Sequence, residues 1–304
     1  MSYVQEEIAS QPGMWRQAAR AAVTFESALP RRGQRAVIVG CGTSLYMAEA
    51  WASAREAGGG GETDAFTPTE TPGDRAYDVH VILSRSGTTT EAIRYARLHG
   101  DDARTVCVTG VPDSPLAEVC DDVVSLEFAD ERSLVQTRFA TSALALLRAH
   151  CGEDIGVLAS AAEDALQEPL PDEPAEMRQI VFLGHGMGVG VAREAALKLR
   201  EAAGAWTEAY PATEFRHGPI SAIGEATLVW AFCPTPASTV EAVRATGATW
   251  RQAMRDPMVE LIVAQRLAVV LAERRGLDPD GPRHLTRSVI LSDEDQGPDP
   301  SHRS

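Results

Sequence analysis

The sequence has no CxxC pair, no long apolar run, no excess of basic residues and little low complexity. Each absence closes off a class of function. Its five cysteines (Cys41, Cys107, Cys120, Cys151 and Cys233) are scattered and lie mostly within apolar stretches. That usage fits reduced, buried thiols rather than a disulfide framework or a zinc site. No apolar stretch approaches bilayer length, and the opening MSYVQEEIAS is polar and acidic where a signal peptide would be basic and then apolar. A cytoplasmic chain without membrane attachment is expected. Positive charge is in deficit: Lys plus Arg number 28 against 43 Asp plus Glu, a formal net charge of −15. Such a field repels nucleic acid and anionic membranes. A small anion can still bind, because local backbone dipoles rather than net charge hold it.

What is present is a soluble globular composition: 304 residues, 44% hydrophobic and 23% charged, enough for one large or two ordinary domains. Strand-like runs at 36–39, 79–83, 105–109 and 123–126 alternate with helical patterns at 44–57, 90–98, 114–119 and 139–150. A Pro- and acid-rich linker (QEPLPDEPAE, 167–176) follows, and the rhythm restarts with strands at 179–183, 228–233 and 249–253 and helices at 192–203, 239–245 and 258–275. AVIVGCGTSLYMAEA and IVFLGHGMGVGVAREA share a strand, a GxG turn and a helix that starts on small residues, which suggests an internal duplication. The expected fold class is α/β, with two tandem subdomains (1–166 with a helical lead-in, and 177–291). Each is a doubly wound, flavodoxin-like parallel sheet flanked by helices. The tail at 292–304 (SDEDQGPDPSHRS) reads as disordered.

The glycine turns do not make a dinucleotide site. In GHGMGVG the third place of G-x-G-x-x-G is Val189, and no acidic residue ends a following strand to hold a ribose. Tight strand-to-helix packing explains these glycines at least as well as phosphate contact. A dinucleotide oxidoreductase is a weak alternative.

The stretch SRSGTTTEA (84–92) carries five hydroxyls in nine residues, between an apolar strand and a helix. Ser84, Ser86 and Thr89 can converge there with the free N–H groups of the helix's first turn, and the helix dipole favours an anion. Gly87 lets the backbone curl close. A capping box over Thr88–Glu91 would account for one or two hydroxyls, not five. The second constellation lies in 194–219 (EAALKLREAAGAWTEAYPATEFRHGP). Lys198 and Glu201, three apart, share a helical face, and EFRHGP puts Glu214 and His217 in a loop. Spacing alone leaves a surface ion pair and a solvated histidine open beside a proton-transfer set.

Taken together, GCGTS (40–44), SRSG with Thr89, ALKLRE (196–201), EFRHGP (214–219) and PRHLTRSV (282–289) resemble the sugar isomerase (SIS) family. They are most similar to the isomerase half of glucosamine-6-phosphate synthase and its stand-alone isomerase and deaminase relatives. The resemblance runs from about residue 4 to 291 and includes EEIASQP (6–12). It implies that Ser84, Arg85, Ser86 and Thr89 hold a phosphate, that Thr43, Ser44 and Gln136 line the sugar, and that Arg287 joins them. It also implies a catalytic Glu201 and Lys198, and a ring-opening His217 donated by the neighbouring subunit of a homodimer.

The expected activity is a shift of a proton between carbons 1 and 2 of a sugar 6-phosphate, an amino sugar first, as isomerase or deaminase. No metal, no redox cofactor and no other cofactor is expected. A deglycase of sugar–amine adducts, or a phosphosugar-sensing regulator without turnover, are the alternatives. Two departures stand out. Arg287 occupies the place where the family's synthase has lysine, and arginine stays protonated and forms no Schiff base. The isomerase pattern begins directly after Met1 with no glutaminase part, so synthesis from glutamine is not expected of this chain alone.

Overall fold

The computed structural model describes residues 2–170 and 177–292. It is built on two all-parallel sheets. The first uses β1 (Ala36–Gly40), β2 (Thr63–Phe66), β3 (Val79–Leu83), β4 (Arg104–Thr109) and β5 (Asp122–Ser125) in the order β2-β1-β3-β4-β5. The second uses β6 (Gln179–Gly184), β7 (Trp206–Pro211), β8 (Thr227–Ala231) and β9 (Thr249–Gln252) in the order β7-β6-β8-β9. The first order is that of flavodoxin-like sheets, and the second repeats it one strand shorter, as the expected duplication requires.

Helices cover the sheets: α1 (Tyr3–Thr24), α2 (Thr43–Ala57), α3 (Thr90–His99), α4 (Arg138–His150) and α5 (Ile155–Gln167) in the first half, and α6 (Gly188–Ala203), α7 (Ala237–Ala245) and α8 (Pro257–Arg274) in the second. β1 and β3 are buried along their whole length, which is why they read as apolar runs, broken only by the buried His80 of β3. Their side chains alternate between two cores. Ile38, Val81 and Val106 face a large core shared with α1, α2, α4, α6 and α8, while Val37, Val39, Ile82 and Cys107 face α3. Phe182, Trp230 and Phe232 join the same large core from the second sheet, so one core ties the two halves together.

The glycines of GHGMGVG serve packing. A Cβ on Gly190 would lie 2.5 Å from the Tyr46 carbonyl oxygen and 2.7 Å from the Ala50 nitrogen, so glycine lets α6 cross α2 closely. A Cβ on Gly184 would meet the Gly188 carbonyl at 2.1 Å.

Several expectations need correction. The helix expected over 114–119 is a single 3-10 turn at Ala117–Val119, because Pro115 and the start of β5 leave no room for a longer one. β2, α5 and β7 were not anticipated. β2 and β7 are short, half-buried edge strands without an apolar run. α5 follows α4 after only Cys151–Asp154, with Asp154 capping it through the Gly156 and Val157 amides. The expected linker begins on the last residue of α5, and 171–176 lies outside the described residues, as does 293–304 of the expected tail. The last segment, 277–291, also reaches back to the first half. The Asp280 carboxylate accepts from the Tyr3 and Val4 amides, and Val289 O accepts from the Thr90 amide at the start of α3.

Candidate active site

In doubly wound sheets, ligands gather at the carboxyl ends of the strands where the strand order reverses. Here that point lies between β1 and β3, and the chain leaves these strands through GCGTS and SRSG. The two loops border a narrow recess lined by Ser44, Ser84, Arg85, Ser86, Thr89, Gln136 and Arg287, together with Cys41, Leu83 and Ala92. Seven of the eight substrate-contacting residues expected from the sequence thus meet in one place. Gly87, at φ +62°, permits the curl, and a Cβ there would sit 1.9 Å from Ser114 Oγ.

The loop is arranged to donate. Ser84 Oγ accepts from the Gly87 amide at 3.2 Å, and Ser86 Oγ accepts from the Thr88 amide and hydroxyl at 3.2 and 3.0 Å. Each serine spends lone pairs on the loop and keeps its O–H proton for the recess. No capping box forms: the N-cap of α3 is Thr89, and its side chain makes no capping bond. Thr89 Oγ1 instead lies 3.4 Å from Ser288 Oγ. The helix offers less than expected, since the Thr90 amide is already taken by Val289 O.

Arg85 lines the recess and also braces the loop. Its guanidinium is 2% exposed, with Glu131 at 3.5 Å and the carbonyls of Ser133, Leu134 and Arg287 at 3.1, 3.2 and 3.5 Å. Only its Nε lacks a partner. Gln136 Oε1 is likewise buried and unpartnered. A buried donor and a buried acceptor are thus left open at one recess. Arg287 adds positive charge, although its guanidinium also pairs with Asp130 at 2.5 Å and bonds Glu131 O.

Thr43 does not line the recess. It starts α2 beside Ser44, and its Oγ1 accepts from Lys198 Nζ of α6 at 2.9 Å. Lys198 is 1% exposed and lies 2.5 Å from Glu201 Oε2, so this is not a surface pair. A third member was missed from the sequence. Glu194, fully buried, places Oε1 3.4 Å from Lys198 Nζ, and neither of its oxygens has a hydrogen-bond partner. Burial pushes the Glu194 carboxyl up to about 8 against the pull of Lys198. Burial alone would lower Lys198, but the neighbouring carboxylates of Glu194 and Glu201 outweigh it and hold the ammonium above its usual value. Two signals in the sequence point to this cluster: the E-x-x-x-K-x-x-E spacing on one helical face, and the fact that Lys198 is the only lysine in the chain.

Glu201 also lines a second cavity, of 340 Å³, formed with Arg200, Asp278, Arg283 and His284. His284, another residue the sequence reading passed over, holds φ +66° there. His217 stands apart. Its turn is anchored by the buried Phe215, its own side chain is exposed, and among the described residues no hydrogen bond or ion pair links it to Glu201 or the recess. Glu214 is exposed as well. Among the described residues no group of three or more His, Cys, Asp or Glu side chains could hold a metal ion, and no helix is long and apolar enough to cross a membrane.

No protein-family model matches the chain. A glutamine–fructose-6-phosphate aminotransferase [isomerizing] of Bradyrhizobium diazoefficiens is 30% identical over 320 residues, which cover 85% of this chain and 52% of that enzyme. The chain thus spans about half the length of the curated relatives it matches. Among solved structures, glucosamine-6-phosphate deaminase from Thermotoga maritima superposes with a TM-score of 0.81 at 24% identity, covering 95% of this chain and all of that one. The C-terminal domain of glucosamine-fructose-6-phosphate aminotransferase from Francisella tularensis superposes with a TM-score of 0.77 at 20% identity, covering 93% and 98%. With its paired parallel sheets and its motifs in order, the chain resembles the sugar isomerase (SIS) family, and its homologues are the isomerase portion of glutamine–fructose-6-phosphate aminotransferase.

Proposed function

We propose that this chain is a phosphosugar isomerase or deaminase, acting on a sugar 6-phosphate and preferentially on an amino sugar. The observation that carries the reading is adjacency. Ser44 lines the anion recess, and its neighbour Thr43 holds the ammonium of the buried Glu194–Lys198–Glu201 cluster. A substrate anchored by its phosphate at Ser84, Ser86 and Thr89 would extend its reactive carbons toward that cluster, with Gln136 accepting from a sugar hydroxyl or amine. Glu201 would carry the proton between carbons 1 and 2 through an enediol or enolamine. Lys198 would stabilise the negative charge that develops on oxygen. His217, exposed in the single chain, would open the ring of a sugar bound to the partner subunit of a homodimer.

The amino-sugar preference rests on the names of the relatives, a glutamine–fructose-6-phosphate aminotransferase and a glucosamine-6-phosphate deaminase. A regulator without turnover would have no need to bury an ammonium between two carboxylates. The test is a panel of sugar and amino-sugar 6-phosphates in deuterated water, followed by NMR. Deuterium entering at carbon 1 or 2 of one member supports the reading. Tight binding with no exchange for any member replaces it with sensing.

A further inference from the structure

The segment that leads from β5 into α4, residues 130–137, holds both arginines of the recess. Glu131 is its centre. Its side chain is fully buried and is not among the groups that line the recess. The two carboxylate oxygens have separate tasks. Oε1 accepts from the Thr137 amide and hydroxyl at 2.6 and 2.9 Å and from the Arg138 amide at 2.8 Å. Thr137 is the N-cap of α4 and its own side chain makes no capping bond, so Glu131 closes that helix start from outside. Oε2 faces Arg85 Nη1 at 3.5 Å, long for a hydrogen bond but close for two opposite charges out of water. The Glu131 carbonyl accepts from Arg287.

The segment is pinned from behind. The carboxylate of Glu7, buried on α1, accepts from the Arg132 amide at 2.6 Å, the Ser133 amide at 3.3 Å and the Ser133 hydroxyl. The Leu134 amide donates to Asp280 O at 3.0 Å. Arg85 therefore sits in a fixed frame. Its Nη1 serves Glu131 and Ser133 O, and its Nη2 serves Leu134 O and Arg287 O. The donor left over is Nε–H, buried and without a partner.

We propose that Glu131 is a positioning residue of the phosphate site, which orients the Arg85 guanidinium so that its Nε–H is presented to the sugar phosphate. The ligand half of this statement rests on the phosphate reading of the recess. Burial pushes the Glu131 carboxyl up from its usual value, against the pull of Arg85 and the Thr137 donors. A proton on Oε2 would point at the guanidinium donors, and one on Oε1 would displace a donor of the α4 start, so the group keeps its charge. Glu131→Gln separates the two tasks. Its amide oxygen stays with the three donors of the helix start, which turns its NH2 toward Arg85 Nη1, donor against donor. The helix start survives, and the guanidinium loses its orientation.

Fructose 6-phosphate affinity is measured by calorimetry for the unmutated protein, Glu131→Gln, Arg85→Gln and the double variant, each checked for fold by circular dichroism. Glu131→Gln should weaken binding about ten-fold, the equivalent of one hydrogen bond to the phosphate. In the Arg85→Gln background the same change should alter affinity by less than about two-fold, because Glu131 acts through the guanidinium. Equal weakening in both backgrounds would make Glu131 a support of the fold alone. Unchanged or tighter binding in Glu131→Gln would equally overturn the proposal. A second readout needs neither single variant to fold. The Arg85 Nε–H NMR signal, assigned by its absence from the double variant (which removes both buried charges), should be slow to exchange with solvent in the unliganded, unmutated protein. It should shift when fructose 6-phosphate binds. Rapid exchange before ligand is added, or binding without a shift, overturns the proposal. If the unmutated protein binds no phosphosugar, the phosphate reading fails, while the exchange of the Nε–H signal still decides whether the guanidinium is held in place.

Discussion

Thr43 of α2 and Lys198 of α6 meet at 2.9 Å, hydroxyl oxygen to ammonium, where the helix after β1 crosses the helix after β6. In the proposed reading, two helices of the duplicated fold thereby supply different halves of one site. The first sheet contributes the anion recess, and the second contributes the buried charge. Gly190 makes the meeting possible, because any side chain there would hold the two helices apart. The equivalent glycine turn of the second sheet, GHGMG, carries no hydroxyl, and Gly190 just after it packs α6 against α2.

The anion recess can be tested through two hydroxyls. A Ser86→Ala, Thr89→Ala double variant should bind fructose 6-phosphate at least ten-fold more weakly. Hydrogen bonds to a charged group contribute about 1.5–3 kcal/mol each. Unliganded stability should drop only by about 1 kcal/mol, because Ser86 also braces Thr88. Titration of fructose beside its 6-phosphate is the control. Equal affinity for the two in the unmutated protein would remove the phosphate from this recess.

Assembly is open to a mixing experiment. Glu201→Gln and His217→Ala proteins, inactive alone, should regain activity after subunit exchange, since a mixed dimer restores one intact site. Without recovery despite verified exchange, ring opening belongs to a group of the same subunit as Glu201. His284, on the Glu201 cavity, is then the imidazole to change.

The single lysine allows an unusually clean test of covalent chemistry. Lys198 is buried, charged and paired, and Arg287 stays protonated, so neither offers a free amine to an open-chain ketose. Borohydride added to protein and fructose 6-phosphate should leave the mass of the peptide around Lys198 unchanged. A reduced sugar adduct on Lys198 would show that the cluster gives up its proton during turnover.

Much of this was legible in the residues, and the failures have physical causes. β1, β3, β4 and β8 declare themselves because a strand covered on both faces is mostly apolar. β2 and β7 sit at sheet edges, where half-exposed residues such as those of WTEAYP carry no such pattern. The hydroxyl loop was readable because five hydroxyls exceed what a helix start needs. The bracing role of Arg85 was not, because its partners Glu131, Ser133, Leu134 and Arg287 are brought to it only by folding. Glu194 was missed for a simpler reason. Three charges on one helical face look like solvated surface until the packing of α2 and α8 against α6 buries two of them.

Glu194 also leaves a mark on stability. Its carboxyl takes up a proton more readily folded than unfolded, so the stabilisation is complete below the ordinary carboxyl range near 4.5 and fades as pH rises through about 8. In that window it contributes a slope of at most about 1.4 kcal/mol per pH unit. Glu194→Gln cannot ionise, and its melting temperature should fall less between pH 5 and 8 (about neutral, in steps of roughly one unit) than that of the unmutated protein. Parallel pH profiles for the two proteins would mean that Glu194 is ionised throughout and neutralised by Lys198.

Glu201 separates chemistry from binding. It is the one carboxylate of the cluster that reaches both Lys198 and the open cavity, at 18% side-chain exposure, so it can touch substrate where Glu194 cannot. Glu201→Gln keeps the size and the hydrogen-bonding capacity but cannot shuttle a proton. Removing a general acid–base group typically costs on the order of 10²–10⁴-fold in turnover. Loss of an ion pair with no catalytic role would lower stability and leave rate alone. Turnover and deuterium exchange at the substrate carbon should therefore fall together by that factor, with phosphosugar affinity within a few-fold of the original. Exchange persisting at the unmutated rate would move the proton carrier elsewhere. The other titratable acid or imidazole groups lining that cavity are Asp278 and His284. The same exchange assay on Asp278→Asn and His284→Asn would then find the base.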